Sequence, residues 1–240
     1  MILSIHQPEY LPYIGFFERL SVSDVFVILD DVGYQKNGFI NRNKIKTEKG
    51  AKWITVPVIG RSPNLKINEV AIDNSKNWGA SQWGAIFSSY SKAPYFKEYS
   101  DFFEEFFNKK WSLICDADIY LLQNINKFLD INLKILKSSE LGVLGKGTER
   151  LINICKELKA DYYLSGPGNE EHQVEKEKFK EQEIKVETKD FSNPKYQQMF
   201  INQDFLPYMS IIDLLFNEGK NSIKIIKNNE NFSNSSASGR

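Results

Sequence analysis

The sequence has few residues of the kinds that form disulfides, hold metals or cross membranes. Its 240 residues include two cysteines and two histidines, too few for a disulfide framework or a zinc cluster. No stretch approaches the roughly 20 apolar residues that span a bilayer, and the apolar residues 2–5 are too short for a secretory signal. We therefore expect a protein of the reducing cytoplasm that does not insert into membranes.

The sequence also lacks a charge excess and the common catalytic motifs. Lys plus Arg and Asp plus Glu both number 31, so no global field attracts nucleic acid. There is no Gly-x-Ser-x-Gly elbow and no intact GxGxxG pattern. Residues 142–147 hold three glycines and Lys146, but Gly147 follows the lysine, so the spacing is not that of a phosphate-binding P-loop.

Two short apolar segments end on ionisable residues. Residues 2–6 read as a buried strand that ends on His6, and residues 25–29 read as a second strand followed by Asp30. Open α/β sheets bring their chemistry to the carboxyl ends of such strands. A histidine there is a natural general base near neutral pH, although a structural, hydrogen-bonded histidine fits the pattern too.

The rest of the chain predicts an α/β fold with a Rossmann-like, mostly parallel sheet. A basic, β-rich insertion is expected over 33–75, with strands at 53–59 and 66–72. A helical segment is expected over 80–137, including a long helix or pair of helices at 113–137. Residues 1–226 are expected to form one domain, and the Asn- and Ser-rich residues 227–240 a disordered tail.

The insertion is unusually basic. Between residues 36 and 66 there are eight Lys or Arg residues against one acid, Glu48. A positive concavity here would suit a phosphate or diphosphate, because Arg offers a planar fork and Lys a point charge. A solvated surface lobe is the alternative interpretation.

Seven ordered motifs span roughly residues 1–219. They are His6-Gln7-Pro8-x-Tyr10-x-Pro12-x-x-Gly15-Phe16-Phe17, Ser23-Asp24-x-Phe26-Val27-x-Leu29-Asp30, Phe39-x-Asn41-Arg42-Asn43-x-Ile45, Trp53-x-Thr55-Val56-Pro57-Val58, Tyr163-Leu164-Ser165-Gly166, Tyr196-x-Gln198 and Phe205-x-Pro207-x-x-Ser210-Ile211-Ile212-Asp213-Leu214-Leu215-Phe216. This set resembles the WbqC-like family. The sequence departs from the family pattern at Gly33-Tyr34 and in the loop at 167–169.

The resemblance implies a function, because the family occurs in clusters for O-antigen and other surface polysaccharides. It implies a cytoplasmic transferase that moves an acyl or aminoacyl group to the amino group of a nucleotide-linked amino sugar. The donor would be a CoA or carrier-protein thioester, with no tightly bound cofactor and no metal. The partners would be the nucleotide diphosphate sugar, an acyl carrier protein and, in a homo-oligomer, further copies of the chain.

The resemblance also selects the candidate site residues. The catalytic candidates are His6, as general base, and Asp30. The substrate-binding candidates are Gln7, Tyr10, Lys36, Asn41, Arg42, Lys44, Ser165, Gly166, Gln198 and Asp213.

Two alternatives stay open. The succession of strand, loop, helix and strand also resembles the HxGH nucleotidyltransferases, which use ATP. In this chain Tyr13-Ile14-Gly15-Phe16 stands where the two histidines of that motif should be. The second alternative is a non-catalytic subunit that binds a sugar nucleotide.

Overall fold

A computed structural model describes residues 1–59, 65–166, 175–188 and 191–235, with side chains to residue 228. The strands are β1 (Ile2–His6), β2 (Val25–Ile28), β3 (Arg42–Thr47), β4 (Gly50–Thr55), β5 (Val58–Ile59), β6 (Ala71–Ile72), β7 (Lys134–Lys137), β8 (Tyr162–Ser165) and β9 (Lys185–Thr188). The α-helices are α1 (Ile14–Leu20), α2 (Trp78–Tyr90), α3 (Phe96–Asn108), α4 (Ile114–Phe128), α5 (Gly147–Glu157), α6 (Lys176–Lys180), α7 (Ile211–Glu218) and α8 (Ser222–Ser235).

Five strands form the central sheet, in the spatial order β7-β2-β1-β8-β9. Every neighbouring pair in this sheet is parallel. Counted along the chain, the order is 3-2-1-4-5, as in a doubly wound Rossmann sheet. The predicted α/β fold with a Rossmann-like sheet is thus confirmed. The order reverses between β1 and β8, and ligands of such sheets bind at the carboxyl ends of the strands beside that point.

The side chains of β1 and β2 point alternately to the two faces of the sheet, and both faces are buried. Leu3 and Val27 belong to a core that includes Ile152 and Ile154 of α5. Phe26, on the opposite face of β2, belongs to the larger core formed with α1–α4, α7 and α8. Successive strand residues point to opposite faces, so β1 and β2 are covered on both sides. Burial on both sides explains why their sequences read as short, continuous apolar runs.

The predicted β-rich insertion is confirmed as two antiparallel pairs, β3 with β4 and β5 with β6. The strand predicted over 53–59 is interrupted near Pro57, which has no N–H to donate. The strand predicted over 66–72 is wrong in its first half. Residues 67–69 form a 3-10 turn instead, and the Glu69 carboxylate accepts a bond from the backbone N–H of Lys66 at 3.0 Å.

The helical segment predicted over 80–137 is wrong beyond α4. Asp130 adopts a left-handed conformation with φ +53°, which ends the helix, and residues 134–137 form the edge strand β7. This strand pairs with β2, with Val25 opposite Lys134 and Ile28 opposite Lys137. The sequence reads as a helix because its apolar residues continue the helical spacing. The segment is a strand instead because it pairs in parallel with β2.

Helix α8 extends to Ser235, and the disordered tail over 227–240 stays a prediction. The helix is anchored by Ile226, whose side chain is fully buried in the larger core. Residues 236–240 lie outside the described residues. None of the helices in the described ranges is long and apolar enough to span a membrane. The assignment of 1–226 as one domain stays a prediction.

Candidate functional site at the carboxyl ends of β1 and β8

The loop after β1, residues 7–13, is held in place by the insertion. Leu11 has a left-handed backbone with φ +46°, which is strained for a residue with a side chain. Asn43 of β3 secures it by donating from Nδ2 to the carbonyls of Leu11, at 2.8 Å, and Tyr10, at 3.2 Å. The backbone N–H of Tyr10 donates to the carbonyl of Phe39 at 2.9 Å. The hairpin therefore fixes the loop that follows His6.

Three aromatic rings pack together at the end of this loop. The ring of Tyr13 lies 5.3 Å from that of Phe191 and 6.1 Å from that of Tyr208. Gly15, in the first turn of α1, allows the approach, because a Cβ there would lie 2.7 Å from the Phe191 ring. Gly15, which belongs to the N-terminal motif, thus makes room for Phe191 to pack against Tyr13.

His6 ends β1 as a neutral imidazole. Its Nδ1 lies 3.0 Å from the carbonyl oxygen of Gln7, and because a carbonyl only accepts, Nδ1 carries the proton. Nε2 then keeps its lone pair. The side chain retains 29% exposure. Burial, followed by the nearby Arg19, lowers the pKa of His6 to about 3, so the ring is uncharged at neutral pH.

Glu9 lies beside His6 without a hydrogen-bond partner for its buried oxygen. Its side chain is 10% exposed, and Oε1 lies 3.6 Å from Nδ1 of His6. Its Oε2 is buried and has no partner among the described residues. Burial raises the pKa of Glu9 to about 7, although Arg19 opposes the shift. The carboxyl therefore changes its protonation near neutral pH.

Arg19 is a second buried ionisable group without a neutralising partner. The residue is 6% exposed, and its Nε has no hydrogen-bond partner among the described residues. The ion pairs found there do not include Arg19. Burial lowers the pKa of its guanidinium. A buried charge costs on the order of several kcal/mol unless it is paired at short range. Arg19 and Glu9 attract each other but form no ion pair, so together they indicate a site shaped for a ligand.

Gly166, at the end of β8, brings Arg19 to the point where the strand order reverses. A Cβ on Gly166 would lie 2.0 Å from Nη1 of Arg19, so only glycine admits the guanidinium there. We call His6, Glu9, Arg19 and Gly166 the switch-point cluster. Sequence reasoning selected His6 and Gly166 but missed Glu9 and Arg19. The one local signal was a charged pair, Glu18-Arg19, inside a helix that is otherwise apolar.

A third buried acid lies deeper, on α4. Asp118 is 2% exposed, and neither carboxyl oxygen has a hydrogen-bond partner among the described residues. Burial, with a further contribution from Glu9, raises the pKa of Asp118 well above its usual range.

Of the predicted site residues, four lie at the carboxyl ends of β1 and β8, namely His6, Gln7, Ser165 and Gly166. Tyr10 follows on the same loop but is fully buried. Its hydroxyl donates to Oε1 of Gln82 on α2 at 2.7 Å. This bond ties the loop to α2. The predicted contact of Tyr10 with the substrate stays a prediction.

Asp30 lies at the carboxyl ends of β2 and β7 and is 2% exposed. Its carboxylate accepts from the Ser138 hydroxyl at 3.1 Å, from the Ser139 N–H at 2.9 Å and from Asn68 Nδ2 at 3.3 Å. The Ser139 hydroxyl donates to it at 2.6 Å. These bonds fasten β7 and the insertion to β2. Its predicted catalytic role stays a prediction, and the geometry supports an anchoring one.

Gln198 and Asp213 belong to a separate buried network. The Asp213 carboxylate accepts from the hydroxyls of Tyr90 at 2.7 Å and Tyr196 at 2.6 Å, and from Gln198 Nε2 at 2.8 Å. The ammonium of Lys46 donates to Oε1 of Gln198 at 3.2 Å. The network ties β3, α2 and α7 to the segment 191–210. It is not part of the switch-point cluster.

The basic candidates lie on and before the hairpin. The guanidinium of Arg42 lies 4.4 Å and the ammonium of Lys44 5.0 Å from the centre of the Trp53 ring. Trp53 is 41% exposed, so this is a surface-facing stack of cations on an aromatic ring. Asn41 is buried and donates from Nδ2 to the carbonyl of Val56 at 2.8 Å, and Lys36 is exposed.

Two grooves flank the hairpin where it meets α2, with volumes of about 320 and 500 Å³. Lys52 and Ala85 line both, and Gln82 lines the smaller one. Neither is lined by a residue of the switch-point cluster. We favour the cluster as the site, because it combines unneutralised ionisable groups with the position that this sheet topology uses for ligands.

Both cysteines are buried, Cys115 in α4 and Cys155 in α5. Burial raises the pKa of the Cys115 and Cys155 thiols to about 12. Thiols in this state are poor nucleophiles, because the thiolate is the reactive form. They offer no support for a cysteine-based mechanism.

Comparisons with known proteins place the chain in a family. The profile of the WbqC-like protein family matches residues 7–225. The chain is also similar to "Uncharacterized protein Rv1507c" of Mycobacterium tuberculosis (strain ATCC 25618 / H37Rv), with 34% identity over 220 residues, covering 90% of this chain and 94% of that protein. No solved structure matches the chain significantly. The match begins directly after His6 and includes Glu9, Arg19 and Gly166 of the switch-point cluster, and the chain belongs to the WbqC-like protein family.

Proposed function

We propose that the chain is a transferase of surface polysaccharide (O-antigen) biosynthesis. It would transfer an acyl or aminoacyl group to the amino group of a nucleotide-linked amino sugar, with His6 as general base. The observation that carries the proposal is a neutral imidazole with an available Nε2 lone pair, set at the point of a Rossmann-like sheet where nucleotides bind.

The reaction would proceed by attack of the sugar amine on the carbonyl carbon of a thioester. As the C–N bond forms, Nε2 of His6 accepts the proton that the amine loses, and the thiolate of CoA or of a carrier protein leaves. His6 then gives that proton to the thiolate. The negative charge of the bound diphosphate would stabilise the imidazolium that forms in between, while Glu9, with Oε1 3.6 Å from Nδ1, lies beside the ring as a neutral carboxyl.

In the proposed reaction, substrate binding would raise the pKa of His6. A base of pKa about 3 is weak in the empty site, because catalytic efficiency is highest when the pKa lies near the working pH. The diphosphate of the substrate would raise the pKa of the imidazole by adding negative charge beside it. His6 would then become an effective base only once the sugar nucleotide is bound.

The test is a transfer assay on the purified chain. UDP- and dTDP-linked amino sugars are incubated with acetyl-CoA, and separately with an acyl carrier protein charged with acyl groups, and the acylated sugar is detected by mass spectrometry. We expect His6→Ala to lower kcat about 10²- to 10⁴-fold, the usual contribution of a general base. The matched control is His172→Ala, which removes the other histidine.

Two results would contradict the proposal. Full activity in a folded His6→Ala variant would remove the base from the mechanism. Binding of sugar nucleotides without turnover, with every donor tried, would favour a non-catalytic binding subunit.

Nucleotidyl transfer is the alternative that the 3-2-1-4-5 strand order and the β1–loop–α1 unit at the sheet centre leave open, and the missing histidines argue against it. The chain has Tyr13 and Phe16 at the two histidine positions of the HxGH pattern. An ATP–pyrophosphate exchange assay with sugar phosphates would detect this activity. We expect no exchange, because neither side chain can replace the imidazoles that contact the phosphates in such enzymes.

A further inference from the structure

Among the described residues, Arg19 is a buried cation whose charge no group at ion-pair distance neutralises. It is a cation within α1, 6% exposed, and no carboxylate among the described residues lies at ion-pair distance from it. The ring of Phe16 lies 5.4 Å from its guanidinium carbon, which leaves the N–H groups unsatisfied by that contact. Buried cations without a partner are rare in folded proteins, and a bound anion would neutralise this one.

The position of Arg19 indicates the kind of anion. Its guanidinium lies against Gly166 at the end of β8, and β8 pairs in parallel with β1, at whose end His6 lies. Phosphates of nucleotides bind over this pair of strand ends in doubly wound sheets. The planar fork of Arg suits two oxygens of a phosphoryl group.

The acid beside Arg19 does not compete with such an anion. The groups that face Glu9 are His6, Tyr13, Arg19 and Asp118, whose own pKa is raised by burial. Because burial already raises the pKa of Glu9, an anion bound nearby would keep its carboxyl protonated. In that form Glu9 offers an O–H donor to a phosphoryl oxygen.

We propose that Arg19 is the anion-recognition residue of the switch-point cluster and that its ligand is the diphosphate of a nucleotide. The inference rests on the proposed function for the sugar nucleotide, and it moves the diphosphate from Arg42 and Lys44 on the hairpin to the sheet. Gly166 is the residue that makes room for the guanidinium.

Calorimetric titration of the full chain with UDP, dTDP, ATP, UMP and inorganic pyrophosphate tests this assignment. We expect the wild type to bind at least one diphosphate nucleotide, and Arg19→Gln to bind it at least tenfold more weakly. Gly166→Ala should weaken binding similarly, because its methyl group displaces the guanidinium while the charge stays. The displaced atoms are the flexible end of a side chain, so the fold should survive. Arg42→Gln tests the competing location on the hairpin, and if Arg19 holds the diphosphate this variant should bind like the wild type.

Each result supports or overturns the assignment. Equal affinity of Arg19→Gln and wild type, or a loss confined to Arg42→Gln, would overturn it, as would a wild type that binds none of the five probes. Tighter binding of ATP than of UDP and dTDP would support Arg19 as the anion-recognition residue and would identify an adenine nucleotide as the ligand. Nucleotide binding that depends on Arg19 without any acyl transfer would refute the proposed reaction and leave this inference intact.

Discussion

Replacing Glu9 with Gln should stabilise the protein at high pH relative to the wild type. The folded state raises the pKa of Glu9 from 4.5 to about 7 by burial. Below pH 4.5 the carboxyl is protonated in both states, so its stabilising contribution is fully present there. As the pH rises, the unfolded chain releases this proton first, and stability is lost until the pH passes the folded pKa.

The size of the effect follows from the two pKa values. The loss of folding free energy is about 1 kcal/mol at pH 5 and about 3 kcal/mol at pH 8, at 1.36 kcal/mol per pKa unit. Gln has nearly the same shape and does not ionise. The stability of Glu9→Gln relative to the wild type should therefore increase by about 2 to 3 kcal/mol between pH 5 and pH 8.

Urea unfolding followed by tryptophan fluorescence at both pH values measures this difference. His6 is present in both proteins, so its contribution largely cancels in the comparison. Burial, the main cause of the raised pKa of Asp118, is also common to both. Glu48→Gln, at an exposed carboxylate, is the control and should show no such change. A stability difference between Glu9→Gln and wild type that is the same at pH 5 and pH 8 would refute the picture of an unpaired, buried Glu9.

Further predictions concern the scaffold. A Cβ on Gly79 would lie 1.9 Å from the backbone oxygen of Phe107, so Gly79→Ala should destabilise the α2–α3 packing by about 1–3 kcal/mol, seen as a lower urea midpoint. Gly84→Ala, in the same helix with nothing near its Cβ, should instead stabilise by about 0.5–1 kcal/mol, and a loss there would contradict the reasoning. Asp213→Asn should lower stability by about 1–3 kcal/mol by leaving a donor unpaired, with UDP affinity unchanged. A Kd shift above threefold would link that network to the site.

The sheet was predictable from the sequence where burial is strong and local. β1 and β2 are short apolar runs, and each ends where a polar residue follows. β7 was not predictable in this way, since residues 134–137 read Lys-Ile-Leu-Lys and their apolar pair continues the spacing of the preceding helix. Its state is decided by pairing with Val25 to Ile28, more than a hundred residues earlier, and sequence periodicity does not record such a pairing.

The position of the site in the sheet was predictable from the sequence, but not all of its residues were. His6 and Gly166 stand in motifs, and the sheet order brings their strands together. Arg19 reads as one more charged residue of a short helix, and Glu9 as one of several polar loop residues. What distinguishes them is burial without a partner, which depends on packing. Tyr10 and Asp30 carry the family pattern as well, yet their bonds to Gln82 and Ser139 give them structural work.

A crystal structure of the chain with bound UDP tests the location of the site most directly. We predict the diphosphate over the carboxyl ends of β1 and β8, with its oxygens within hydrogen-bond distance of the Arg19 guanidinium and Nε2 of His6 facing the side where the sugar attaches. A nucleotide bound instead on the Trp53 face, through Arg42 and Lys44, with Arg19 still without an anion, would contradict the account.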